Sequence, residues 1–249
     1  MENVNLLTQQ NPPIWSRAYW REAAAQLRSV NMLAIAALIV ALRVAVKFLK
    51  IPLAAGLSVS LDCYVNSLGS LVYGPLMGLL VGAVSDTVGC ALQGFAGYFF
   101  PFILTEILSS FIFGLFFWRR PLGAGRALAA KFTVNLVCNI ILTSLLMKWY
   151  YYLYFGVEKA EAYNLINMVR IVKNLVLFPV EAVLITVILS AFLPALRAMH
   201  LVPATQKRVT LTGKHILLVV ALSLLSVGLV LFYVFFLKDF VSAHNIKLF

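Results

Sequence analysis

Long apolar runs alternate with short polar breaks along most of the chain. Each run approaches or exceeds the ~20 residues with which a helix crosses a hydrocarbon core. The runs predict helices at 30–49, about 57–73, about 75–93, about 100–118, about 127–150, about 168–193 and about 215–237. Only Gly74-Pro75 separates the second from the third, which predicts a tight hairpin at the membrane surface. Lys50-Ile-Pro-Leu-Ala-Ala-Gly56 breaks the first helix and reads as a loop, as does Gln93-Gly-Phe-Ala-Gly97 after the third. The even spacing of Ser58, Ser60, Asp62, Tyr64 and Asn66 hints at an extended segment before the second helix. Residues 1–29 are polar and mixed, with Pro12-Pro13 ahead of an amphipathic stretch from Trp15 to Arg28. That stretch reads either as an interfacial helix on the cytoplasmic side or as a disordered tail. The fold class is therefore an all-α polytopic membrane protein. A six-helix core occupies 30–197, a polar linker 198–214, and an appended seventh transmembrane helix with its tail 215–249.

The 62% hydrophobic content agrees with this reading, since a soluble domain lies nearer half. The net charge of +11 is explained by membrane orientation rather than by nucleic acid. With the N-terminus inside, the inner segments carry Arg17, Arg21, Arg28, Arg119, Arg120, Arg126, Lys131, Arg197, Lys207, Arg208 and Lys214. The outer segments carry the shorter set Lys47, Lys50, Lys148, Lys159, Lys238 and Lys247. An anionic ligand or anionic lipid is the residual reading of the excess charge. Cys63, Cys90 and Cys138 lie in separate apolar segments without metal-ligand spacing, so they read as small buried hydrophobes and no metal is expected. No Walker A sequence, GxSxG, HExxH or Cys/His nucleophile pair occurs, so no catalytic residues are expected and the chain is not read as an enzyme.

The first apolar helix carries Ala37, Ala41 and Ala45 at intervals of four, hence on one face. In lipid such a smooth face permits close packing of another helix. Arg43 stands about 200° round from Ala41, on the other side. Ionisable groups inside spans are costly and usually functional. Here they are Arg43, Asp62, Asp86, Glu106, Arg170, Lys173 and Glu181. Read blandly, they are buried ion pairs that fix helix register. In the sixth helix Arg170, Lys173, Asn174 and Glu181 share one face, with Pro179 as a kink. Arg170 and Lys173 then form a basic mouth above a polar interior, or simply snorkel to head groups. Tyr98, Phe99, Phe100, Thr105 and Glu106 approach the same side, as do Tyr150, Tyr151, Tyr152, Tyr154 and Tyr163. The tyrosines read as an interfacial belt or as stacking partners for a flat heterocycle. Asp62 or Glu106 suits the paired N–H donors of an amino-heterocycle.

The run Ile51-Pro52, Ser58-Val-Ser60, Asn66-Ser-Leu-Gly69, Tyr73-Gly-Pro75, Gly78-Leu-Leu-Val-Gly82-Ala-Val-Ser85-Asp86 resembles the substrate-binding S components of energy-coupling factor (ECF) vitamin transporters. Gly97-Tyr-Phe-Phe-Pro-Phe-Ile-Leu-Thr105-Glu106 and Phe111-Ile-Phe-Gly114 extend the likeness, which covers about residues 30–197. Arg43, Arg170-Ile-Val-Lys173-Asn174, Pro179 and Glu181 bring it closest to the folate-type branch. Asp62-Cys63 and the loop at Ala96-Gly97 depart from that branch's pattern.

The resemblance implies a six-helix core with a vitamin site open to the outside, folate first. It implies a transmembrane coupling subunit, met through Ala37, Ala41 and Ala45, and two cytosolic ATPases that consume the ATP. Members are thought to topple in the membrane to release the vitamin. The expected substrate-binding residues are Arg43, Asp62, Tyr64, Tyr98, Phe99, Glu106, Arg170, Lys173 and Asn174. The expected setting is the plasma membrane of a Gram-positive bacterium, N-terminus inside. An S component for another vitamin, a self-sufficient secondary transporter and a non-transport membrane scaffold or enzyme remain the alternatives.

Overall fold

The computed structural model describes residues 12–54, 57–95, 98–163 and 168–202, with the single positions Leu217, Ala221, Leu224 and Gly228. The linker beyond 202, most of the seventh predicted helix, the first eleven residues and the loop position Ala96-Gly97 lie outside them.

The elements run α1 (Arg17–Gln26), α2 (Val30–Lys47), β1 (Lys50–Ala54), β2 (Leu57–Ser60), α3 (Asp62–Leu92), α4 (Ile103–Phe117), α5 (Ala124–Val134), α6 (Thr143–Phe155), α7 (Val157–Ala162) and α8 (Met168–Ala198). A 3₁₀ turn over Phe100–Phe102 leads into α4, and a π-helical segment over Asn135–Leu142 joins α5 to α6. Among the described residues, five stretches are long and apolar enough to cross a membrane: Val30–Lys47, Asp62–Leu92, Phe100–Phe117, Ala124–Phe155 and Lys173–Ala198.

The second of these folds back on itself at the predicted hairpin. Gly74 takes φ 81° and ψ −176°, a conformation that side chains disfavour. Ser70 on the first arm donates to the Ser110 carbonyl at 3.1 Å, and Gly78 on the second arm packs against that same carbonyl. The arms 62–73 and 75–92 thus lie side by side against α4. Close approach depends on missing side chains. A Cβ at Gly82 would stand 2.8 Å from the Glu106 carbonyl oxygen, and one at Gly114 would stand 2.5 Å from Pro75 Cα. Small residues at this spacing are how membrane helices bring their backbones together.

The expected loop at 50–56 is instead a β-hairpin, with Lys50 opposite Ser60 and Ile51 opposite Val59. Its register shifts between Pro52 and Ala54, where proline withholds a ladder donor. Strand pairing satisfies backbone groups that bare loop would leave unmet at the membrane boundary.

The amphipathic stretch before the first span becomes helix α1, capped by Ser16, whose hydroxyl accepts from the Ala18 N–H at 3.2 Å. It packs onto the bundle rather than trailing from it. Tyr19 and Ala23 are fully buried, Tyr19 meets Trp118 edge-on at 5.0 Å, and Glu22 pairs with Arg119. The main core gathers Tyr64, Leu71, Phe113, Phe117, Ile185, Leu189 and Leu193 from α3, α4 and α8. A second cluster joins Ala36 of α2 to Tyr73, Met77 and Val81.

Candidate functional site

The bundle end away from α1 holds a linked set of charges. Arg43 of α2 has no exposed surface. Its Nε donates to Asp62 Oδ1 at 2.8 Å and its Nη2 to Asp62 Oδ2 at 2.9 Å, a two-pronged pair. Nη2 also reaches Glu106 Oε2 at 2.5 Å, and Nη1 donates to Ser110 Oγ at 3.2 Å. One helical turn along α2, Lys47 donates to Asp86 Oδ1 at 3.0 Å and lies 3.7 Å from Glu106 Oε1. Tyr98 donates its hydroxyl to Asp86 Oδ2 at 2.8 Å. Burial raises the Tyr98 phenol above its ordinary range, so it stays a donor at neutral pH. By formal count the network sets three carboxylates against two cations.

A cavity of about 560 Å³ opens over this network, lined by Lys47, Asp62, Asp86, Gln93, Tyr98 and Glu106 among others. Beneath it lies a smaller chamber of about 180 Å³, with Asn66, Ser109, Lys131, Asn139 and Glu181 in its wall. Ser60, Asp62 and Glu106 belong to both linings, so the two spaces are neighbours that share this wall. Together they fall within the range of small-molecule sites.

The inner chamber depends on a residue that the charge pattern misplaces. Lys131 is assigned by sequence to an inner loop, yet it is 2% exposed inside the bundle. Its Nζ stands 3.1 Å from Glu181 Oε2 and 3.6 Å from Cys63 Sγ. Asn135 donates to the same Glu181 oxygen at 3.4 Å. Asn139 donates to Asn135 Oδ1 at 3.0 Å and to Asn174 Oδ1 at 3.3 Å. The π-helical turn aims this asparagine pair at α8. Such turns recur at functional sites. The spacing Lys131, Asn135, Asn139 is a polar row at intervals of four, the signal that marks an inward face of a buried helix.

The nine expected site residues separate into groups. Asp62, Tyr98 and Glu106 line the outer cavity. Arg43 stands behind the acids, outside both linings, because its donors are taken by Asp62, Glu106 and Ser110. Tyr64 is buried in the main core, its hydroxyl without a hydrogen-bond partner among the described residues. Phe99 is buried in an aromatic cluster, edge-on to Trp149 and Tyr150, each at 5.5 Å. Asn174 joins Asn139, and its side chain donates to the Arg170 carbonyl at 2.9 Å. Arg170 donates to Ser144 at 3.0 Å and, like Lys173, lies outside the lining of the two chambers. Lys47 and Asp86 enter the site although sequence reasoning left them out. Lys47 follows Arg43 by four residues and so shares its face.

On the opposite side of α2, Ala37, Ala41 and Ala45 are exposed, together with Leu38 and Leu42. Among the described residues no group of His, Cys, Asp and Glu is arranged to hold a metal ion.

The fold and the site define a membrane-spanning helical bundle that encloses a polar chamber. Residues 27–194 match the family described as the ECF-type riboflavin transporter S component, and the chain belongs to that family. Its members are transporter subunits rather than enzymes. Two curated relatives are folate transporters named FolT. The one from Clostridium novyi is 24% identical over 119 residues, 48% of this chain and 64% of the relative. The one from Leuconostoc mesenteroides is 28% identical over 126 residues, 50% of this chain and 66% of the relative. The matches thus span just under two thirds of each relative's length. A crystal structure of FolT bound with folic acid superposes with a TM-score of 0.51 at 26% identity, covering 62% of this chain and 88% of that chain.

Proposed function

We propose that this chain is the substrate-binding subunit of an ECF-type importer and that its ligand is folate or a closely related pterin. The observation that carries the reading is the pair of adjacent chambers that share Asp62 and Glu106 in their walls, in a chain whose relatives are folate transporters. A pterin edge presents parallel N–H donors, which a carboxylate accepts pairwise. The acceptor-rich wall of Asp62, Asp86 and Glu106 suits a donor-rich group at that depth. The two carboxylates of folate are assigned toward Arg170 and Lys173 in the first turns of α8, beyond the lining of the two chambers. Arg43 acts by holding both acids in place.

Release proceeds through separate partners. The exposed Ala37, Ala41 and Ala45 face is the docking surface for a transmembrane coupling subunit, which two cytosolic ATPases drive. The N-terminus and α1 lie on the cytoplasmic side of the plasma membrane, and the cavity opens outward.

Riboflavin is the second reading, because the family whose model matches residues 27–194 carries that vitamin's name. Calorimetric titration of the purified chain with folate, 5-formyltetrahydrofolate and riboflavin separates them. Sub-micromolar folate binding with no riboflavin heat is the expected outcome. The reverse pattern would reassign the ligand, and no heat from any of the three would remove the vitamin-binding reading.

A further inference from the structure

The inner chamber, of about 180 Å³, is smaller than a site for a whole drug-sized ligand, so it suits one end of such a molecule. It shares Ser60, Asp62 and Glu106 with the outer cavity, so a ring held in it lies directly against the larger space. Glu181 of α8 and Lys131 of α5 stand in its wall, with Glu181 Oε2 3.1 Å from Lys131 Nζ. We infer that these two side chains together read the donor–donor–acceptor edge of a 2-amino-4-oxo heterocycle and so select a pterin over a flavin, a choice that rests on the folate reading.

Open acceptors are the first reason. Asp62 has both oxygens engaged by Arg43, and Glu106 lies between Arg43 and Lys47. Glu181 is placed differently. Its Oε2 accepts from Lys131 and Asn135, which hold the carboxylate still, and its Oε1 accepts nothing among the described residues. A largely buried acceptor left unmet is unfavourable, and a ligand N–H completes it.

The order of donors and acceptors is the second reason. A pterin edge runs amino N–H, ring N–H, carbonyl oxygen. The two Glu181 oxygens accept the first two in parallel. The Lys131 ammonium has three N–H donors. One goes to Glu181 and one to Cys63 Sγ at 3.6 Å, a weak acceptor, which leaves one for the carbonyl oxygen. Asn139 lines the same chamber, and its Oδ1 accepts nothing among the described residues, so it offers an acceptor to the second amino proton. A flavin edge runs carbonyl, ring N–H, carbonyl. Its first carbonyl would face Glu181 Oε1, oxygen against oxygen, with no proton between them. A site built on hydrogen bonds rejects such an analogue more strongly than a change of contact area would, because its buried groups are left unpaired. Reduction of the pterin's second ring leaves the edge unchanged, so oxidised and reduced folates are read alike.

The test is calorimetric titration of the full-length native chain and of Glu181→Gln with folate, its 2-desamino-2-methyl analogue and riboflavin. The native chain should bind folate roughly 10- to 150-fold more tightly than the analogue, the worth of one hydrogen bond to a charged group. In Glu181→Gln that preference should largely disappear, because folate weakens while the analogue keeps its affinity. Equal native affinities for folate and the analogue would overturn the inference and leave the folate reading standing. So would a preference that survives in Glu181→Gln, which would hand the edge to Asp62 or Glu106. Equal weakening of both ligands would make Glu181 a structural residue and overturn it too. Riboflavin heat without folate heat, or no heat from any of the three, would remove the folate reading and the inference with it. Should Glu181→Gln not fold, the double variant Lys131→Met with Glu181→Leu replaces the buried pair by an apolar one at little cost. Its preference for folate over the analogue must vanish, and a persisting preference or an equal loss of both ligands would overturn the assignment.

Discussion

Arg43 and Asp62 meet through two parallel hydrogen bonds of 2.8 and 2.9 Å, with the arginine wholly buried. Nineteen residues separate them, across the β-hairpin. The arginine is thereby committed to shaping the cavity wall. Removing one partner of such a pair is far costlier than removing both. Arg43→Met should lower stability by about 3–5 kcal/mol, seen as a large drop in unfolding temperature in detergent. Arg43→Lys keeps the charge but not the fork, so it should recover only part of that loss. A near-native unfolding temperature for Arg43→Met would contradict the positioning role.

Lys131 and Glu181 allow a sharper comparison. Lys131→Met leaves the buried Glu181 without its cation, and a penalty of about 3–5 kcal/mol is expected. Adding Glu181→Leu should restore most of the stability, since a packed apolar pair replaces a buried ion pair at little cost. Thermal unfolding of the two single variants and the double variant closes the cycle. Additive losses would show that the two residues are not coupled.

Tyr98→Phe removes the donor to Asp86 on the cavity wall while keeping the ring. The loss of a hydrogen bond to a charged group, about 1.5–3 kcal/mol, corresponds to ~10- to 150-fold weaker ligand binding if that bond orders the site. Burial holds the phenol's proton above its ordinary range. A group kept neutral in this way loses its donor only in strong alkali. The deficit of the phenylalanine variant should therefore be the same across about pH 6 to 9. A calorimetric dissociation constant equal to the native one would exclude Tyr98 from the site.

Ala37→Leu and Ala41→Leu place bulk on the exposed face of α2, away from Arg43. Binding by the isolated chain should be unchanged, while assembly with a coupling subunit and vitamin uptake should fail. Loss of binding as well would count against a docking role for this face.

Gly82→Ala introduces a Cβ 2.8 Å from the Glu106 carbonyl oxygen, a backbone atom that cannot move aside. The second arm of α3 must shift, at a cost of about 1–3 kcal/mol. Asp86 rides on that arm, so ligand affinity should fall together with the unfolding temperature. A variant that kept both would show that the arms are not held as closely as the structure places them.

Periodicity made much of this protein legible in its sequence. The apolar runs mark the membrane spans, Gly74-Pro75 marks the turn between two of them, and the four-residue spacing of alanines separates one face of α2 from Arg43. Each of these is a local property, set by helix geometry, side-chain size and the phase preferred by each residue. Tertiary structure alone decided which charges meet. Glu106 reaches Arg43 across 63 residues of sequence, and Asn135 reaches Glu181 across 46. The row Lys131, Asn135, Asn139 marks one polar face of its helix, but it does not say which acid that face meets. The spacing of Ser58 and Ser60 hinted at an extended segment, which β2 is, but its pairing with 50–54 escaped the sequence, since strand pairing is chosen by a partner strand and not by the strand's own residues. In hydrocarbon a charge cannot stay unpaired, so the sequence fixes that partners exist, and only the packed bundle determines who they are.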